Sequence, residues 1–387
     1  MNPLPLLLAA APIVSAGPGD APGDIVVKWK KKDVTLADIA PLGPSPATAA
    51  QTWAPFAEEH DYRMTLTDDG RVLLLTPRKK STSKELKLID KTCEYVDEIL
   101  PSPEPADAAP ATPPTPPPAP PDDGGEPGDD EAEWHFEYQW GAGEWRRDAE
   151  TIVLVQASDM DDYVHAIELL AERFEYLRSW IDSARSFAGC TLQQPLAAIW
   201  LLGDKDLEEW DPENELVHRL TELLVLRRFD RQPAWLLQGL AWHVEYELQK
   251  SHYCFPWRSA FVFETEHTAW EAMLKAAHKG ESELRMDDVC KLSRGDFQLD
   301  HARDAWGAAW FLVRYHDEAL PTLLEDLRKL QREKGVVTHA DGSWEKIPGY
   351  EPSAADQLAL LQKAAGEEAL ADLLGFYQRG KSFKPKR

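Results

Sequence analysis

Cysteine and positive charge are both scarce in this chain. Only 4 Cys occur among 387 residues. Cys93, Cys190, Cys254 and Cys290 are far apart with no C-x-x-C pair, which excludes a cysteine-built zinc or dithiol redox motif. In an oxidising compartment they allow one or two disulfides with no pairing fixed by spacing, and otherwise they are buried thiols. Against 67 Asp and Glu stand 42 Lys and Arg, a formal net charge of −25. That field repels phosphate backbones, and no Lys/Arg stripe reads as dense enough to reverse it locally, so nucleic-acid binding is not expected. The basic C-terminus, Lys381 to Arg387, reads as a solvated tail. Also missing are a G-x-S-x-G elbow, a phosphate-binding Gly loop and a dinucleotide fingerprint. Neither Cys190 nor Cys254 has an adjacent base that would mark a nucleophile.

Long hydrophobic runs are absent too. A membrane-spanning helix takes ~20 apolar residues, and the stretch Leu4 to Val14 falls short of that. It ends in Val14-Ser15-Ala16, small residues that suit signal peptidase, although no Lys or Arg precedes it. Residues 1–16 are therefore expected to be an export signal. The mature chain is expected to be periplasmic or extracellular, with no integral membrane segment.

What the sequence does have is aromatic and apolar mass. With 15 Trp and a hydrophobic fraction of 43%, it can build a substantial core. Residues 17–60 read as an N-terminal extension that starts with a Gly/Pro/Asp tether, Gly17 to Gly23. Residues 61–100 read as a hairpin and a helix. The hairpin strands, Tyr62–Thr67 and Arg71–Thr76, flank Asp68-Asp69-Gly70, and apolar residues recur at helical spacing from Ser83 to Leu100. Residues 101–133, almost all Pro, Ala, Asp, Glu and Gly, read as a disordered linker that cannot bury enough apolar surface to offset chain entropy. Trp134, Phe136, Tyr138 and Trp140 alternate, with Trp145 beyond them; such a patch can stack on sugars or peptides, and the alternation reads first as a half-buried strand.

The main domain is expected over 134–335, with C-terminal helices and the tail over 336–387. Strands are predicted at Thr151–Val155 and Leu196–Leu202, with one long amphipathic helix from Asp159 to Ala184 between them. Helices are predicted at Glu213–Leu226, Ala234–Leu248, Thr268–Ala277, Ala302–Tyr315 and Leu320–Arg332, then from Ala354 and from Glu367. A mixed β-sheet in the N-terminal half followed by a helical C-terminal half is an α+β arrangement.

One pentapeptide carries the chemistry. In an H-E-x-x-H zinc site two His one helical turn apart reach one ion, and the intervening Glu polarises the bound water. Here the helix reads Asn214-Glu215-Leu216-Val217-His218, and the next begins Pro233-Ala234-Trp235-Leu236-Leu237-Gln238-Gly239-Leu240-Ala241. These segments resemble the gluzincin-type, peptidase-MA-like zinc metallopeptidases of exported bacterial proteins. Their pattern is H-E-L-x-H followed by P-x-W-L-x-E-G-x-A, whose Glu is the third ligand. The resemblance extends over roughly Asp61 to Leu330, interrupted by the linker, and includes Asp162-Tyr163 and Trp306.

The resemblance implies a zincin-like architecture with a degenerate site. Glu215 stands at the general base and His218 at the second His, while Asn214 replaces the first His and Gln238 the third-ligand Glu. An amide oxygen brings no negative charge, so no cofactor is expected. The leading expectation is a peptidase homologue without zinc or catalysis, its former substrate cleft binding a peptide, a protein partner or nothing. One alternative is an active zinc peptidase with an unconventional ligand set such as His218 with Glu222, read otherwise as a solvated or ion-paired helix residue. His243, after Gln238, falls on a different side of its helix. A third reading is an envelope-associated structural or binding module.

Overall fold

The structure, a computed structural model, describes residues 25–101, 147–203, 210–253, 267–338, 344–347 and 350–385. The expected signal segment, the linker beyond Pro101, the Trp134 to Trp145 patch, Cys254, Lys386 and Arg387 lie outside the described residues.

Seven strands make one mixed sheet: β1 Val27–Trp29, β2 Lys32–Val34, β3 Tyr62–Leu66, β4 Val72–Pro77, β5 Ile152–Ala157, β6 Gly189–Leu192 and β7 Ala197–Leu201. Their spatial order is β2-β1-β3-β4-β5-β7-β6. β4 and β5 pair in parallel, Leu73 against Val153 and Leu75 against Val155. Strands from the N-terminal extension, the hairpin unit and the segment after the linker thus share one sheet.

Period-two alternation divides the apolar residues between two cores. Leu73, Leu75, Val153, Val155, Ile199 and Leu201 face α1 (Pro44–Glu59) and α3 (Met160–Ala171). On the other side Val72, Leu74, Ile152, Leu154, Ala198 and Trp200 meet α2 (Ser83–Ile99) and the helical half. That half comprises α4 Pro212–Phe229, α5 Ala234–Gln249, α6 Trp270–Ala277, α7 Leu299–Tyr315, α8 Ala319–Lys334, α9 Ala354–Ala365 and α10 Ala369–Arg379. Among the described residues no helix is long and apolar enough to cross a membrane.

Two expectations change. The helix predicted from Asp159 to Ala184 stops at Ala171, where Phe174 turns extended, and continues as a 3-10 turn, Glu175–Trp180, and a short helix, Ile181–Ala184. Leu177 and Ala184 still reach the same core, so the apolar spacing runs through the break unaltered. The C-terminal segment is also not wholly solvated: Phe383 is buried against Phe376 and Tyr315, and Lys381 pairs with Glu271.

α4 is the axis of the molecule. Asp211 caps it by accepting from the amides of Glu213 and Asn214, and Pro212 occupies the first turn, where no donor is needed. From Asn214 to Leu226 every residue is buried. A helix buried on all sides is ordinarily apolar, yet this one carries Asn214, Glu215, His218, Arg219, Thr221 and Glu222. Polar groups buried there must find partners or destabilise the fold.

α5 is held against α7 by an approach that leaves no room for a side chain. A Cβ on Gly239 would lie 2.3 Å from the Ala305 carbonyl oxygen. The Gly after Gln238 therefore serves helix packing, and it fixes the depth at which Gln238 enters the core.

Candidate functional site

The structure brings His218, Asn214 and Gln238 together. His218 Nε2 is 3.2 Å from Gln238 Oε1. Tetrahedral zinc with bonds of ~2.0–2.1 Å sets neighbouring donors about 3.3 Å apart, a separation that a hydrogen bond such as this one also has. Asn214 lies one turn before His218 on the same stripe of α4 and joins it through a third residue, Glu245.

Glu245 was not legible as a site residue. It projects from α5 two turns after Gln238 and is fully buried. One carboxylate oxygen accepts from Asn214 Nδ2 at 2.7 Å and from the Tyr253 amide at 2.6 Å. The other lies 3.0 Å from His218 Nδ1. The second Asn214 donor goes to the Ser251 carbonyl at 3.0 Å. One acid thus ties both His positions of the motif and the chain following α5.

The chain of contacts continues on the far side of His218. Gln238 Nε2 donates to Glu222, and Glu222 also accepts from the Thr191 hydroxyl on β6. Glu222 is fully buried, which removes the solvated half of its reading as a solvated or ion-paired helix residue. It sits one turn beyond His218 on the stripe that faces α5.

The direction of these bonds is set by chemistry. A carboxylate only accepts, so Glu222 takes the amide nitrogen of Gln238 and leaves the amide oxygen facing His218 Nε2. Glu245 presents another acceptor to Nδ1. Both ring nitrogens therefore face oxygen atoms of neighbouring side chains, Glu245 at Nδ1 and Gln238 at Nε2. A metal ligand needs the direction of the Nε2 lone pair open, and here the Gln238 amide fills it.

Glu215 points away from this chain. Its carboxylate binds Arg219 at 2.7 Å, one turn on, and Arg219 reaches the Thr191 hydroxyl at 3.3 Å. Space for the guanidinium comes from Gly189 on β6, where a Cβ would fall 2.7 Å from Arg219. Both members of the pair are buried. The expected base is thus neutralised by a cation that the motif does not contain. Arg219 is the second residue missed from sequence; its only trace there is a Glu/Arg pair at i, i+4 on a helix otherwise too apolar for charge.

The donor set differs from that of the zinc motif. At the three ligand positions the chain offers one imidazole and two neutral amides, while Glu222 is engaged by an amide and a hydroxyl donor and Glu245 by two amide donors. Among the described residues no group of three His, Cys, Asp or Glu is arranged to hold a metal.

The remaining histidines near α5 belong to packing. His243 faces α2, with Nε2 3.1 Å from the Tyr95 hydroxyl, and burial pulls its pKa down to about 4. Between Trp270 and Tyr246, His252 is stacked and likewise pushed down by burial. The thiols of Cys93 and Cys290 are raised to about 12 by burial, which removes them as nucleophiles at neutral pH. Trp306 joins the same aromatic cluster, edge-on to His252 and Trp270.

No model of a known protein family matches the chain, and no curated protein matches it.

Proposed function

We propose that the chain is an exported protein with a zincin-like metallopeptidase architecture in which the zinc has been replaced by a closed network of side chains. In this reading the protein does not hydrolyse peptides. The observation that carries it is the engagement of both His218 nitrogens, Nδ1 by Glu245 and Nε2 by the oxygen of Gln238. The pairing of Glu215 with Arg219 supports it further, because a general base must be free to take a proton from water. What remains is an α+β scaffold whose former catalytic side chains are buried.

The test is hydrolysis of an unstructured protein substrate by the full chain, with and without a chelator. The expected result is no chelator-sensitive cleavage, with Glu215→Gln indistinguishable from the native chain. Cleavage abolished both by the chelator and by Glu215→Gln would overturn the reading in favour of an active peptidase using His218 with Glu222.

A further inference from the structure

The β1–β2 hairpin departs from the charge of the rest of the molecule. Lys28, Lys30, Lys31 and Lys32 fall within five residues around Trp29, in a chain whose net charge is −25. Sequence alone did not single out this cluster, because it is short; the fold concentrates it at the tip of a two-residue turn between paired Trp29 and Lys32. Lys30, Lys31 and Lys32 are exposed, and among the described residues none of the three forms an ion pair. Lys28 is 3.9 Å from Asp33, the one acid of the hairpin.

The turn itself is unfavourable for the residues it contains. Lys30 and Lys31 both have positive φ, 48° and 65°. A two-residue turn of this kind favours Asn-Gly, because a side chain in the left-handed region crowds its own backbone. Lysine at both positions therefore runs against the local backbone preference, and the Lys30 ammonium lies over the Trp29 ring, 4.3 Å from its centroid. Beside the lysines stand Trp29, which anchors the hairpin by donating Nε1 to the Asp68 carbonyl at 3.2 Å, and Val26, 52% exposed. Ammonium groups next to an exposed aliphatic and an aromatic ring make the composition of an interfacial contact.

We propose that this hairpin is a docking element for an anionic phospholipid surface. At physiological ionic strength charges act over about 8 Å, so the distant part of the −25 charge is screened at the tip, where four lysines stand against Asp33 and the Asp68-Asp69 turn that Trp29 touches. Soluble polyanions offer the same charge but no apolar layer for Val26.

The experiment is sedimentation of the full chain with vesicles, either pure phosphatidylcholine or an equal mixture with phosphatidylglycerol, at low and high salt. Binding to the mixed vesicles, absent on phosphatidylcholine and released by salt, is expected. The variant Lys30→Asn/Lys31→Gly removes two charges while giving the turn its preferred residues. It is expected to bind roughly 30-fold more weakly, about 5-fold per lysine, and to melt at a higher temperature than the native chain, so weaker binding cannot be assigned to unfolding. No binding by the native chain to mixed vesicles overturns the proposal. So does equal binding to phosphatidylcholine, affinity of the variant within about twofold of native, or capture by polyphosphate without capture by vesicles.

Discussion

Glu245→Ala is expected to destabilise the protein by about 3–5 kcal/mol, because one truncation removes the acceptor of several donors at once. The carboxylate serves Asn214, His218 and the Tyr253 amide together. Truncation leaves all three without that acceptor in a region with no solvent, and each buried unmet polar group costs about 1–3 kcal/mol. Glu245→Gln retains one oxygen acceptor and should cost less than half as much. Urea unfolding followed by Trp fluorescence measures both, as a lower midpoint at an unchanged slope. A Glu245→Ala protein within about 1 kcal/mol of native would mean that the network is incidental to the fold.

The second large effect is a gain of metal binding. Asn214→His combined with Gln238→Glu restores the two donors missing from the motif, one at a position whose present side chain lies 3.2 Å from His218 Nε2. In the absence of metal this double variant should be less stable than native, because a carboxylate replaces the donor that Glu222 now accepts from. Zinc should reverse the loss. At a free concentration a hundred times its Kd, one ion stabilises by about 2.7 kcal/mol. The expected result is a zinc-dependent rise in melting temperature in the double variant and none in the native chain. A folded double variant indifferent to zinc would show that the spacing of positions 214, 218 and 238 is not that of a metal site.

Much of the scaffold was legible because periodicity and capping are local. The β3–β4 hairpin around Asp68-Asp69-Gly70 and the windows of α2, α4, α5 and α7 emerged within a few residues of their observed limits. Less visible were β1, β2 and β6, each three or four residues long, which owe their form to pairing with a neighbour and not to their own pattern.

At the site, the sequence pointed to Asn214, His218 and Gln238 through their positions in a motif, and the fold brings them together. Glu245 and Arg219 escaped because their roles depend on tertiary depth. Glu245 follows Trp242-His243-Val244 on a helix whose burial cannot be read from one strand of sequence, and Arg219 is an ordinary helix residue until Gly189 opens a place for it. Both lie outside the motif: Glu245 ties Asn214 to His218, and Arg219 pairs with Glu215. The same reason hid Glu222: its spacing from His218 was visible, its burial was not.

In the proposed function side chains take the place of zinc. The most direct test is the zinc content of the full native chain, purified without chelator, equilibrated with zinc and passed through a desalting column. Zinc is expected not to be retained in stoichiometric amount, and His218→Ala to leave the residual content unchanged. One zinc per chain, tightly held and lost on His218→Ala, would contradict it.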